Sequence, residues 1–120
     1  MKVIIAGSRK GFNLIDVFDA MKAFSAEHPD IKIERVLSGT ACGVDTYGEI
    51  WAVEKDIEIE RFYGMRAGLF VRNASMALRG DALVALWDGK SSGTKHMIDV
   101  ALAHGLDVSV FGKNGERIPC

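Results

Sequence analysis

The fold of this chain is decided by the stretch Ser38-Gly39-Thr40-Ala41-Cys42-Gly43-Val44-Asp45. It follows an apolar run, Arg35–Leu37, and leads into Tyr47–Val53, whose apolar residues recur at helical spacing, so it is interpreted as a strand-to-helix turn. Its small residues let a ligand approach the main chain, and a helix N-terminus presents unpaired N–H groups with the positive end of the dipole behind them. The stretch suits an anion such as phosphate, but a glycine-rich turn also forms where the chain only needs a tight corner.

Short apolar runs alternate with amphipathic segments on both sides of this stretch. Strands are predicted at 2–6, 31–37, 57–62, 81–87 and 106–111, and helices at 12–27, 44–55, 67–78 and 94–104. The run 57–62 alternates apolar with charged side chains, as an edge strand does. Residues 112–120 are expected to be frayed or loosely docked. The alternation predicts an α/β fold in one domain, residues 1–120, with a five-stranded mainly parallel sheet and helices on both faces.

The composition argues against several classes of protein. The chain has 120 residues, a formal charge of −1 and two cysteines, Cys42 and Cys120, without metal-site spacing. No disulfide framework, metal site or cofactor is expected, and a cytoplasmic setting fits. The first apolar run is too short for a signal peptide, and no segment is long enough to span a bilayer. The balanced charge predicts neither a membrane partner nor a duplex nucleic acid partner.

Three glycine-rich loops follow predicted strands. In parallel α/β sheets, ligands bind beyond the carboxyl ends of the strands, at the point where the strand order reverses. The loops are therefore expected to surround one crevice with backbone donors, hydroxyl groups and an arginine. The predicted ligand-binding residues are Gly7, Ser8, Arg9, Ser38, Gly39, Thr40, Gly43, Asp88, Ser91, Ser92, Gly93 and Thr94.

Four motifs resemble the YspA-like, YpsA-related branch of the SLOG superfamily. They are Gly7-Ser8-Arg9, the stretch Ser38–Asp45, Arg72-Asn73 with Met76, and Ser91-Ser92-Gly93-Thr94, and their order runs nearly end to end. The resemblance implies a Rossmann-like three-layer sandwich that binds nucleotides or nucleotide-derived ligands, distantly related to DprA and to the "lonely guy" phosphoribohydrolases. It also implies a homodimer or higher homo-oligomer, for which the apolar cluster Phe62–Met65 with Leu69 and Phe70 is a candidate surface.

The resemblance leaves catalysis open. Phosphoribohydrolase relatives use an arginine with a glutamate three residues past the loop threonine, whereas this chain has Arg72 but carries Met97 at that place. A thioether can neither accept a proton nor stabilise an oxocarbenium-like centre. Asp99 is turned about 200° around the helix from Met97 and is expected to face away from the crevice. If the protein is an enzyme, Arg72 and Asp45 are its candidate catalytic residues.

Two functions follow from this comparison, and a third is weaker. The first is a sensor or sequestering module for a nucleotide or nucleotide-derived ligand, which the missing glutamate favours. The second is a nucleotide hydrolase acting on an N-glycosidic or phosphate-ester bond. The third, a DprA-like single-strand nucleic-acid binder, lacks the expected basic surface and aromatic platforms.

The candidate residues also have purely structural interpretations. Asp45 alone can complement a helix N-terminus. Arg72 can pair with an acid such as Glu60. Ser91, Ser92 and Thr94 can act as helix caps, a role that is compatible with phosphate binding by the same hydroxyl groups.

Overall fold

Strands and helices alternate along the whole chain. The structure, a computed structural model, describes residues 1–64 and 68–119. Its elements are β1 (Lys2–Gly7), α1 (Leu14–Glu27), β2 (Arg35–Ser38), α2 (Val44–Glu54), β3 (Glu58–Arg61), α3 (Gly68–Arg79), β4 (Ala82–Leu86), α4 (Ser92–Ala103), β5 (Asp107–Phe111), a 3-10 turn (Lys113–Gly115) and β6 (Arg117–Ile118). The predicted α/β class, with a mainly parallel sheet, is confirmed.

The sheet has the order β3-β2-β1-β4-β5-β6, and every pair except the last is parallel. The chain therefore fills one side of β1 first and then crosses to β4 on the other side. This reversal leaves a crevice above the carboxyl ends of β1 and β4, because the loops that leave them diverge. β3 lies at one edge, as its alternating sequence predicts.

Two apolar layers cover the sheet. Alternate residues of β1 point to opposite faces, with Val3 and Ile5 in one layer and Ile4 and Ala6 in the other. α1 and α2 pack on the first face, and α3 and α4 pack on the second. Because helices cover both faces, the central strands are apolar throughout, and β4 is buried along its full length.

The second strand is shorter than predicted. It was expected over 31–37 but begins at Arg35, which pairs with Lys2, the first residue of β1. Before Arg35 only Met1 is left as a neighbour: the Glu34 N–H donates to the Met1 carbonyl and the Met1 amino group donates to the Lys32 carbonyl, both at 2.9 Å, and β1 extends no further. Ile31 instead donates its N–H to the carbonyl of His28 and is 44% exposed.

The sheet has six strands rather than the five predicted. The segment after β5 was expected to be frayed or loosely docked, but it reverses direction and pairs antiparallel as β6, with Ile118 opposite Val110. Arg117 also forms an ion pair with Glu27 of α1. Two residues of strand pattern are too few to signal a strand in the sequence.

A buried carboxylate anchors this tail. Asp16 is 2% exposed and forms a capping box with Asn13 at the start of α1. Its carboxylate also accepts hydrogen bonds from the Asn114 N–H (3.1 Å) and the Lys113 ammonium (3.3 Å). The tail prediction was wrong because this partner lies 98 residues away along the chain.

Three predictions fall partly outside the described residues. They are the start of the third helix at Ala67, the contribution of Met65 to an oligomer surface, and the interpretation of Cys120. Within residues 1–64 and 68–119, no helix is both long enough and apolar enough to cross a membrane.

Candidate functional site

A cleft of about 350 Å³ opens where the strand order reverses. This volume lies at the lower end of the range of about 300–1,000 Å³ typical of small-molecule pockets. Its lining comes from the end of β1 and the loop after it, the β2–α2 loop, the first turn of α2, α3, the β4–α4 loop and α4. The lining residues are Ala6, Gly7, Ser8, Arg9, Lys10, Ala41, Asp45, Leu69, Arg72, Asp88, Ser91, Gly93, Thr94 and Met97.

The loop after β1 contributes a hydroxyl group without a partner. The Ser8 main chain is fixed, since its N–H donates to the Leu86 carbonyl (3.2 Å) and its carbonyl accepts from the Val44 N–H (3.4 Å). The side chain lies in the cleft lining, and the residue is only 3% exposed. Among the described residues, the Ser8 Oγ has no hydrogen-bond partner. A buried hydroxyl in this state is free to donate a hydrogen bond to a group that enters the cleft.

The N-terminus of α4 forms the opposite wall. Ser91 occupies the N-cap position, but its side chain makes no capping hydrogen bond to the main chain; its hydroxyl lies 3.2 Å from that of Thr94. Asp88 accepts hydrogen bonds from the N–H groups of Lys90 and Ser91, both at 2.8 Å, and so holds the loop in shape. Gly93 and Thr94 bring the first turn of α4 into the cleft lining. A helix start without a side-chain cap leaves its first N–H groups and the positive end of its dipole available to an anion.

Asp45 and Arg72 lie near each other in the cleft lining. Asp45 is 3% exposed, and its Oδ2 accepts from the Ala41 N–H at 3.1 Å. Burial raises the pKa of Asp45 to about 6, although the Ala41 N–H and the charge of Arg72 act in the opposite direction. Burial also lowers the pKa of Arg72, against the attraction of Asp45. Arg72 is held by a hydrogen bond from Nη1 to the Gly39 carbonyl (3.0 Å).

Gly39 allows these two side chains to lie together. A Cβ atom at this position would stand 2.8 Å from the Asp45 Oδ2 and 2.9 Å from the Arg72 Cζ. Both distances are shorter than ordinary van der Waals contacts. The glycine is therefore needed for the Asp45 carboxyl and the Arg72 guanidinium to lie close together.

Sequence reasoning missed the role of Asn73. This residue is fully buried, and its Oδ1 accepts from the Nε (3.3 Å) and Nη2 (2.9 Å) of Arg72. Its Nδ2 donates to the Gly93 carbonyl at 3.3 Å and lies 3.1 Å from the Nδ1 of His96. A signal was present, since Asn73 precedes Met76 and Ala77 by three and four residues and so lies on the apolar face of α3.

Five predicted ligand-binding residues lie outside the cleft lining: Ser38, Gly39, Thr40, Gly43 and Ser92. Most of them shape the β2–α2 loop. The Ser38 hydroxyl donates to Glu49 at 2.6 Å, and the Thr40 hydroxyl donates to the carbonyls of Gly39 and Phe62 rather than pointing toward a phosphate. Gly43 has a φ of 78° and packs so closely that a Cβ would lie 2.4 Å from the Arg9 carbonyl oxygen.

The structure also bears on the partner of Arg72 and on the direction of Asp99. Glu60 pairs with Arg79 (2.9 Å) and with Arg35 (3.2 Å), whereas Arg72 faces the cleft. Asp99 is exposed and pairs with Lys95, so the prediction that it faces away from the crevice is confirmed.

An apolar side chain, Met97, lies at the position where the resemblance to phosphoribohydrolases implies a glutamate. Met97 is 1% exposed and lines the cleft.

In the part of the chain that the structure describes, no three His, Cys, Asp or Glu side chains are grouped to hold a metal ion.

Comparison with known proteins identifies no relative: no family model matches the sequence, and no curated protein or solved structure shows significant similarity.

Proposed function

We propose that this protein binds a nucleotide or nucleotide-derived ligand in the cleft and acts as a sensor or sequestering module. The observation that carries the proposal is the pairing of a buried, unpartnered Ser8 hydroxyl with the uncapped N-terminus of α4 in one lining. Both groups can bond the same phosphate, the hydroxyl by donating a proton and the helix by its first N–H groups.

The charges of the lining suit such a ligand. Arg9, Lys10 and Arg72 contribute three cations, and the dipole of α4 adds partial positive charge. Asp45 and Asp88 provide carboxylates that can accept hydrogen bonds from sugar hydroxyl groups. A ligand with an anionic end and a hydroxylated middle therefore matches the lining better than a purely apolar ligand does.

The family resemblance supports the same ligand class. We propose that the chain is a YspA-like member of the SLOG superfamily and that it works in the cytoplasm as a homo-oligomer. The retained Gly7-Ser8-Arg9 and Arg72, both in the cleft lining, support this assignment. The replacement of the family glutamate by buried Met97 favours binding over turnover.

A second candidate function, hydrolysis of a nucleotide, is favoured by one observation. The carboxyl of Asp45, with a pKa of about 6, can both donate and accept a proton near neutral pH, and it lies beside Arg72. In this role Asp45 would supply the proton chemistry and Arg72 would stabilise developing negative charge.

The test begins with native mass spectrometry of the purified protein, followed by calorimetric titration with a panel of nucleoside 5′-monophosphates. Ser8→Ala is expected to weaken binding roughly tenfold without loss of stability, because the removed hydroxyl has no partner in the protein. Ser75→Ala is the matched control, since its hydroxyl donates to the Val71 carbonyl on α3 and its residue is not part of the cleft lining.

The outcomes separate the candidates. Equal affinities of the wild type and Ser8→Ala would contradict the proposed binding site. Release of a free base or of phosphate from a bound nucleotide, abolished by Asp45→Asn, would replace the sensor by the hydrolase.

A further inference from the structure

Thr40 has a backbone conformation that its side chain disfavours. Its φ is 63°, in the left-handed region, where a β-branched residue is rare because its Cβ crowds the neighbouring carbonyl oxygen. In residues 1–64 and 68–119, the other non-glycine residues with a positive φ are Asp56 and Asn114, whose types tolerate this region. A strained residue of this kind persists only where the contacts around it impose the conformation.

The N–H and the hydroxyl of Thr40 both bond within the protein. The N–H donates to the Ser38 Oγ at 3.1 Å. The hydroxyl lies 2.6 Å from the Gly39 carbonyl oxygen and 3.2 Å from the carbonyl oxygen of Phe62, which follows β3. The side chain therefore ties the β2–α2 loop to the chain beyond β3, and these contacts offset the strain of the left-handed conformation.

A chain of hydrogen bonds fixes the Ser38 hydroxyl as an acceptor for Thr40. This hydroxyl gives its own proton to the Glu49 carboxylate at 2.6 Å, so a lone pair of its oxygen faces the Thr40 N–H. Glu49 is held in turn by Arg61 of β3, whose Nε and Nη2 both lie 2.9 Å from the Glu49 Oε1. The direction of the Thr40 N–H is thus set from the edge of the sheet.

The peptide group between Gly39 and Thr40 connects these contacts to the cleft. This peptide is planar and trans, so its N–H and its C=O point in opposite directions. With the N–H held by Ser38, the Gly39 carbonyl oxygen is directed to the Arg72 Nη1, which donates to it at 3.0 Å. The two acceptor positions of this oxygen are shared by the Thr40 hydroxyl and the Arg72 guanidinium.

The Arg72 guanidinium is held at two of its edges. Nε and Nη2 donate to the Asn73 Oδ1, at 3.3 and 2.9 Å, and Nη1 donates to the Gly39 carbonyl. The two contacts together fix both the plane and the direction of the group. If the contact with Gly39 is lost, the guanidinium is held at one edge only and can turn about it.

We propose that Thr40 is a positioning residue that directs the Arg72 guanidinium into the cleft through the Gly39 carbonyl. The inference rests on the proposed function, since Arg72 is one of the cations of the proposed anion site. Without its hydroxyl, a β-branched residue 40 has less to hold it at a positive φ, so it is expected to return to a negative φ and to turn the 39–40 peptide away from Arg72. The Ala41 N–H, which follows in the chain, then moves away from Asp45 as well.

The binding test is calorimetric titration with sulfate, which probes the anion site alone. Thr40→Val replaces the hydroxyl by a methyl group of similar size, and we expect it to bind sulfate roughly tenfold more weakly than the wild type, the equivalent of one lost hydrogen bond. Thr40→Ser keeps a hydroxyl and should bind as the wild type does. Thr46→Val is the matched control and should also bind as the wild type does, because the Thr46 hydroxyl donates to the Ala41 carbonyl (3.0 Å) instead of the Gly39 carbonyl.

A double-mutant cycle separates positioning of Arg72 from a general loss of structure. If Thr40 acts through Arg72, Thr40→Val lowers the sulfate affinity of the wild type and has no further effect in Arg72→Met. Urea unfolding gives the stability of each variant. If Thr40→Val does not fold, Thr40→Ala provides the same test, because it removes the hydroxyl without placing a methyl group there.

A second measurement uses the protein without any ligand. In NMR spectra, the Arg72 Nε–H resonance should move in Thr40→Val and stay in place in Thr40→Ser and Thr46→Val. The pKa of Asp45, about 6 in the wild type, should rise in Thr40→Val, because the Ala41 N–H and the charge of Arg72, which both lower it, have moved away.

The results separate this inference from the proposed function. Equal sulfate affinities of the wild type and Thr40→Val, an equal loss in Thr46→Val, or the same loss with and without Arg72 would overturn the inference. An Arg72 resonance and an Asp45 titration that are unchanged in Thr40→Val would also overturn it. If both change but no variant binds sulfate or nucleotides, the positioning role stands and the proposed function fails.

Discussion

Replacing Asp45 by asparagine should stabilise the protein at neutral pH. Burial raises the pKa of this carboxyl from 3.8 to about 6, so the folded state favours the protonated form. A carboxyl whose pKa is raised by folding contributes stability that is present below pH 3.8 and is lost as the pH rises through about 6. The rise in pKa corresponds to a penalty on the order of 3 kcal/mol when the group is ionised.

Asparagine removes that penalty and keeps an oxygen that can accept the Ala41 N–H. At pH 7.5 we therefore expect Asp45→Asn to be more stable than the wild type by up to about 3 kcal/mol. At pH 4 the difference should be small, because the wild-type carboxyl is then largely protonated. Other groups of the protein titrate over the same range, but they do so equally in both proteins, so the difference isolates Asp45.

The assay is urea unfolding of both proteins at several pH values, with the free energy of unfolding compared at each. The reasoning would be refuted if Asp45→Asn were less stable at pH 7.5, or if its advantage did not shrink on acidification. Calorimetric titration of the same variant with nucleoside monophosphates shows whether this stability is gained at the expense of ligand affinity, as at many functional sites.

Two further substitutions test other contacts. Gly39→Ala would place a methyl group 2.8 Å from Asp45 and 2.9 Å from Arg72. The affinity for sulfate should therefore fall at least tenfold, and overpacking should lower the free energy of unfolding by about 1–3 kcal/mol. An unchanged affinity would contradict the role assigned to the glycine. His28→Gln should reduce stability most at low pH, because hydrogen bonds to the Phe24 carbonyl and then to Asp107 raise the pKa of His28. The difference in stability between the wild type and His28→Gln should disappear as the pH rises through the folded-state pKa of His28. Urea unfolding of both proteins at pH 5.5 and pH 9 would show whether it does.

Elements dominated by local pattern could be predicted from the sequence. β4 and α4 are examples, because an uninterrupted apolar run and an apolar repeat of three to four residues each have one plausible structure in an α/β chain. The loops after β1 and β4 were placed in one crevice for a topological reason that needs no side-chain detail. The predictions that were wrong concern segments whose partners are distant in sequence. The tail is held by Asp16, and the second strand starts at Arg35 because β1 begins opposite it.

The candidate site also divides into residues that the sequence could indicate and residues whose role depends on packing. Ser8 and Asp45 were selected by residue type and position, Arg72 was selected by the family resemblance, and all three line the cleft. The sequence motif around Gly39 was also selected, but its glycine makes room for two side chains and does not line the cleft. Asn73 was passed over because an asparagine beside an arginine has no distinctive pattern. Its role depends on the packing of α3 against α4, which brings Gly93 and His96 to the same amide.

The size of the pKa shift of Asp45 also bears on the role of the cleft. A carboxylate that only complements a helix dipole contributes about 0.3–1 kcal/mol and can do so from an exposed position. Asp45 is 3% exposed, bonds the Ala41 N–H upstream of α2, and carries a burial penalty on the order of 3 kcal/mol at neutral pH. This is the cost that remains after the Ala41 N–H and the charge of Arg72 have lowered the pKa, and a helix dipole is too weak to offset it. A buried carboxyl kept at a net cost beside a half-buried arginine supports the proposed ligand-binding role of the cleft, because strongly shifted carboxyl groups cluster at functional sites.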